Sequence, residues 1–116
     1  MSPRSLAEEY DEAQKIWGCA QAMLEALDRA FCSLMEHGAA MPATPYENRS
    51  MQQRAECVIR AVKRLCDQRG VSWVMAQEAR RNTVRWSYLE QLRFARQNLE
   101  TSVDLRLCID TELPVP

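Results

Sequence analysis

One histidine and three glycines are all that 116 residues contain of the two residue types on which most catalytic and phosphate-binding motifs depend. With His37 alone, neither a His-rich metal site nor a His-x-x-x-His helix can be assembled, and a His-based triad has a single base to draw on. Gly18, Gly38 and Gly70 stand too far apart for Gly-x-Gly-x-x-Gly or a Walker loop, and no Gly-x-Ser-x-Gly occurs. No stretch approaches the ~18 consecutive apolar residues that a membrane span needs. The start, Met1-Ser2-Pro3-Arg4-Ser5, runs into Ala7-Glu8-Glu9 without an apolar h-region, so no secretory signal is expected. The five cysteines, Cys19, Cys32, Cys57, Cys66 and Cys108, are odd in number and lack a Cys-x-x-Cys pair. Free thiols in a reducing cytoplasm are the expected reading. No enzyme, metal or cofactor is expected from such a chain. The acidic group Glu8, Glu9, Asp11 and Glu12 needs no catalytic explanation, because it sits where a helix start welcomes negative charge.

What is present is helical periodicity. Leu6, Tyr10, Ala13, Trp17, Ala20, Leu24, Leu27, Phe31 and Leu34 follow at alternating steps of four and three, which lays them along one stripe of a single helix. Leu6, Tyr10, Trp17, Leu24, Leu27, Phe31 and Leu34 are its large members, and are expected to form the core or interaction seam. Ile16, Met23 and Ala30 widen the stripe beyond a two-stranded seam, which suits a bundle better. On this register Cys19 and Cys32 fall off the seam.

The spacing predicts a first helix over about 3–37, beginning at Ser2-Pro3 or at the capping box Ser5-Leu6-Ala7-Glu8. A linker carrying Pro42 and Pro45 follows over 38–49. A second helix is expected over about 50–69, with Met51, Ala55, Val58, Val62 and Leu65 inward and Gly70 as its stop. Ser72 caps a third, expected over about 72–100 with a kink or break possible near Asn82-Thr83. Residues 101–116 form a C-terminal tail in which Val103, Leu105, Leu107 and Ile109 alternate with polar residues and Cys108. That period of two suits a strand, but a lone strand lacks a partner among helices, so helix or extended tail is favoured. The expected fold is all-α: an elongated antiparallel bundle of three principal helices in one domain. A first helix of roughly 50 Å outruns a second of about 30 Å, so self-association into a dimer is expected to cover the remainder.

The net charge of −1 hides an asymmetry, because residues 51–96 hold ten basic and four acidic side chains while 1–50 hold four and eight. Arg64-Leu65-Cys66-Asp67-Gln68-Arg69-Gly70-Val71-Ser72 resembles the turn of a helix-turn-helix, which implies a recognition helix presenting Gln77, Arg80, Arg81 and Arg85 to DNA. Arg69 departs from that pattern, standing where an apolar core residue belongs. The favoured function is a non-enzymatic, cytoplasmic protein–protein interaction module, and the alternative is a DNA-binding regulator using 64–85. If the basic segment is neutralised by the acidic N-terminal one, duplex DNA should not bind detectably at ~150 mM salt. If it is free, mobility shifts should show steep salt dependence, flattened by about two log–log units in Arg80→Ala with Arg81→Ala.

Overall fold

Ser5 opens the first helix, its hydroxyl accepting the Glu8 backbone N–H at 3.1 Å and donating to the Glu8 carboxylate at 3.1 Å. The later of the two possible starts is therefore the one used. The computed structural model describes residues 4–36 and 51–112, the side chains of 26–36 and of 51 and 52 excepted. Among the described residues there are five helices and no strand: α1 (Leu6–Glu36), α2 (Met51–Gln68), α3 (Trp73–Thr83), α4 (Tyr88–Gln97) and α5 (Leu99–Glu112). The predicted linker 38–49 and the last residues, 113–116, lie outside the described residues.

α1 is the axis of the fold and packs against each of the other four helices. Its residues 16–20 are buried in succession, so the helix is covered on all sides there and not along one stripe. Small residues allow that enclosure. A methyl group at Gly18 would lie 2.6 Å from the Phe94 ring and 3.0 Å from the Trp86 ring, so hydrogen alone lets α4 approach. Trp86 and Phe94 themselves form a tilted pair with centroids 4.9 Å apart. Cys19, expected off the seam, is fully buried for the same reason.

α2 buries Cys57, Val58, Ala61, Val62, Leu65 and Cys66. It ends on Gly70, whose φ of +68° belongs to the left-handed region that glycine enters without steric cost. Val71 N–H reaches back to the Cys66 carbonyl at 2.8 Å and Gly70 N–H to that of Asp67 at 3.4 Å, the paired bonds of a Schellman stop. Val71 then enters the core, and Ser72 starts α3 by accepting the Met75 N–H at 3.2 Å.

The predicted third helix is two helices, and the predicted tail is a third. α3 stops at Val84, and Ser87 restarts the chain as α4 by accepting the Glu90 N–H at 3.2 Å. Packing supplies the physical reason. The turn between α3 and α4 folds Trp86 and Phe94 onto Gly18, which gives both rings a surface to cover. α4 ends at Asn98, whose side-chain amide donates to the Phe94 carbonyl at 2.9 Å. In α5 the alternating residues separate onto opposite sides: Leu105 and Ile109 face the core, while Val103 and Leu107 face out.

Two glycines should respond differently to substitution. Gly18→Val forces the aromatic pair off α1 and should cost about 1–3 kcal/mol, as overpacking does. Gly70→Ala meets open space and should lose only the left-handed backbone term, about 1–2 kcal/mol. Urea denaturation monitored by circular dichroism measures both, and a negligible loss in Gly18→Val would contradict the close approach at Gly18.

Candidate functional site

One cluster of interacting side chains is centred on Trp17. Its ring lies 6.3 Å from that of Trp73, tilted by 47°. The Arg80 guanidinium carbon stands 5.0 Å from the Trp17 ring centroid, and Lys63 Nζ stands 5.6 Å from that of Trp73. Cation, ring, ring and cation therefore join α2, α1 and α3. Such contacts contribute about 0.5–2 kcal/mol each, more as they lose water. Trp17 Nε1 is buried without a hydrogen-bond partner, so this indole is held by core packing and ring contacts. Beside it lies a pit of about 190 Å³ between α1, α2 and α3. Trp17, Ala20 and Val58 are its most deeply buried lining residues, and Leu24, Ile59 and Val84 add apolar wall. Arg80 and Gln21 supply its polar groups.

The second cluster is built on Arg69. Its guanidinium donates to Glu12 Oε1 at 2.5 Å, Thr101 Oγ1 at 2.9 Å and Asp104 Oδ2 at 2.6 Å. One cation at the end of α2 thus ties α1 to α5. Burial works to lower its pKa, but the hydrogen bonds and charges of Glu12 and Asp104 outweigh that and hold it above the ordinary value. An adjoining cleft of about 530 Å³ carries Arg4, Lys15 and Arg69 beside Glu12, Glu100 and Asp104. Three charges of each sign give it no preference for a charged ligand of either kind. The departure from the helix-turn-helix pattern at Arg69 has its explanation here: the position serves an ion-pair network, where that pattern has an apolar contact.

The residues singled out in the sequence do not assemble into one site. Trp17 is buried, Tyr10 and Leu24 are half-buried, and Leu6 is exposed. The side chains of Leu27, Phe31 and Leu34 lie outside the described residues, as does His37. Tyr10 Oη accepts a hydrogen bond from the Asn82 amide. Of the basic residues on the expected recognition helix, Arg80 turns onto Trp17 and Arg81 pairs with Glu78 at 2.7 Å within α3. Gln77 is half-buried, and Arg85 lies exposed beyond the end of α3. They present no single open face. Among the described residues, ion pairs from the basic segment reach Glu12 on α1 and, on α5, Asp104 and Glu112, the latter within 2.7 Å of Arg64 and 3.5 Å of Arg60. Sequence reading missed the capping box Ser87-Tyr88-Leu89-Glu90, which signals a helix start inside what looked like one helix. It also missed the outer face of α5, where Leu99, Val103 and Leu107 at spacing four are 64%, 58% and 60% exposed.

Among the described residues no three His, Cys, Asp or Glu side chains gather to hold a metal ion, and no helix is long and apolar enough to cross a membrane. No protein-family model matches the chain, and neither a curated protein nor a solved structure matches it.

The described thiols, Cys19, Cys57, Cys66 and Cys108, are buried and unpaired. Burial, reinforced by Asp67, pushes the Cys66 thiol from an ordinary 9.0 up to about 12. Burial raises Cys19 and Cys108 as well. A raised thiol pKa means that the unfolded chain loses its proton first, so this stabilisation is complete below about pH 9 and declines from there towards pH 12. The urea midpoint should fall between about pH 8 and pH 10.5, and Cys66→Ala should make that fall shallower. A slope unchanged by the substitution would show that Cys66 is not its source.

Proposed function

We propose that this chain is a non-enzymatic protein–protein interaction module of the cytoplasm that pairs with a second copy of itself through the outer face of α5. One observation carries the reading: α5 is apolar on two opposite sides, and its own fold covers one of them. Thr101, Leu105, Cys108 and Ile109 are buried against the rest of the molecule, while Leu99, Val103 and Leu107 face solvent. A contiguous apolar row left on the surface marks an interaction site. The first helix, whose length first suggested self-association, supplies less support, because α2, α3, α4 and α5 all pack on it.

A second copy suits the uncovered face by symmetry. Leu99 and Leu107 stand four residues either side of Val103. A two-fold axis passing at Val103 sets each leucine beside the other leucine of the partner, as an isologous contact requires. Glu100 and Arg106 stand three residues either side, so antiparallel pairing brings opposite charges level where parallel pairing brings like ones. The four buried, unpaired thiols support a reducing compartment. A duplex-DNA reading draws little from the structure, since Arg80 and Arg81 are engaged within the fold.

Sedimentation velocity tests the pairing. Wild-type protein at about 100 μM should sediment as a dimer that dissociates on dilution. Val103→Glu sets two carboxylates together at the axis and should yield a monomer with an unchanged helical spectrum, because Val103 is exposed in the single chain. A wild type that stays monomeric at that concentration defeats the proposal, as does a Val103→Glu dimer as tight as wild type.

A further inference from the structure

The pit beside Trp17 combines features that the pairing of α5 does not use. Its walls are apolar, with Ala20 and Val58 deep in the fold and Leu24, Ile59 and Val84 around them. Arg80 lines it as well, half-buried, with its guanidinium over the Trp17 ring. Among the described residues Arg80 has no carboxylate partner. Arg60, Arg64, Arg69, Arg81 and Arg106 each lie within ion-pair distance of one. A contact with a ring satisfies the charge of a guanidinium in part, and its five N–H donors still call for hydrogen-bond acceptors. A volume of about 190 Å³ corresponds to about six water molecules, at ~30 Å³ apiece, which is room for one ring or one branched chain.

We propose that this pit binds a small carboxylic acid with a single ring or branched apolar body, the body resting against Val58, Ile59 and Trp17 and the carboxylate paired with Arg80. A planar carboxylate accepts two parallel N–H bonds from an arginine fork, and that match is strongest where water is thinned by apolar walls. Gln21, also on the lining, offers an amide that can donate to the second oxygen. An apolar pocket with few convergent polar groups is the usual form of a small-ligand site. Neutral molecules of the same shape leave Arg80 without a partner and must displace its water for nothing in return.

The test compares phenylacetate with its uncharged isostere phenylacetamide, titrated into the full-length protein and followed by ¹H–¹⁵N correlation spectra, including the indole N–H signals. Phenylacetate should saturate with a Kd on the order of 1 mM, in keeping with its ten non-hydrogen atoms. Shifts should centre on Trp17, Arg80 and Val58, and the amide should bind at least about tenfold more weakly, the signature of one charge-assisted pair. Arg80→Gln should abolish the preference for the acid while leaving weak binding of both compounds. Equal affinity of the wild type for acid and amide overturns the proposal without any variant. So do shifts that map away from the pit, the absence of saturation up to about 50 mM, or a folded Arg80→Gln protein that retains the acid preference.

Discussion

The fold depends on enclosing one helix from every side. α1 is buried continuously over residues 16–20, and the other four helices converge on it. Enclosure of that kind demands small side chains where neighbours come closest, and Gly18, Cys19 and Ala20 provide them. The rings of Trp86 and Phe94 occupy the space that a Cβ at position 18 would take. Ile16 and Trp17, immediately before the small residues, fill the remaining volume and are among the largest fully buried side chains. The alternation of bulk and absence within five residues sets where α4 can sit, and hence where the chain must break to reach it.

Polar interactions then fix the arrangement that packing permits. Arg69 binds acceptors on α1 and α5 from the last turn of α2, and Glu112 at the end of α5 receives both Arg60 and Arg64. Among the described ion pairs, the basic central segment thus meets Asp104 and Glu112 on α5 and Glu12 on α1. Ion pairs as exposed as those of Arg60 and Arg64 contribute little individually, about 0–1 kcal/mol. Their value lies in orientation, since they hold α5 against α2 with one apolar face inward and the other outward.

Helical character and local punctuation were legible in the sequence. Gly70-Val71-Ser72 marks a stop and a start because each residue has a backbone reason to be there: left-handed φ, core contact and a capping hydroxyl. Ala13, Trp17 and Ala20 could be read as inward from period alone. The burial of Cys19 could not, because period identifies one face and says nothing of neighbours on the others. A break near Asn82-Thr83 was legible, and α3 ends at Thr83, but the restart at Ser87 was obscured by Trp86, Leu89 and Leu92, which continue a plausible helical stripe. The capping box there competes with that stripe, and tertiary packing on Gly18 decides between them. α5 was ambiguous because Val103, Leu105, Leu107 and Ile109 satisfy a strand period and a two-faced helix equally. The Trp17 pit was invisible, since it draws on three helices and on Arg80 turning inward when its sequence context suggested an outward, DNA-facing role.

The thiols also make the molecule a set of internal clocks. Cys19 lies in α1, Cys57 and Cys66 in α2 and Cys108 in α5, all buried in the folded chain. A buried thiol meets an alkylating reagent chiefly when its surroundings open, so its modification rate, divided by that of the same thiol in the unfolded chain, reports the free energy of that opening. Three helices of one small domain thus carry their own reporters, without an introduced label. Whether α5 lifts away alone or only when the whole bundle opens is written in the ratio of the Cys108 rate to that of Cys19.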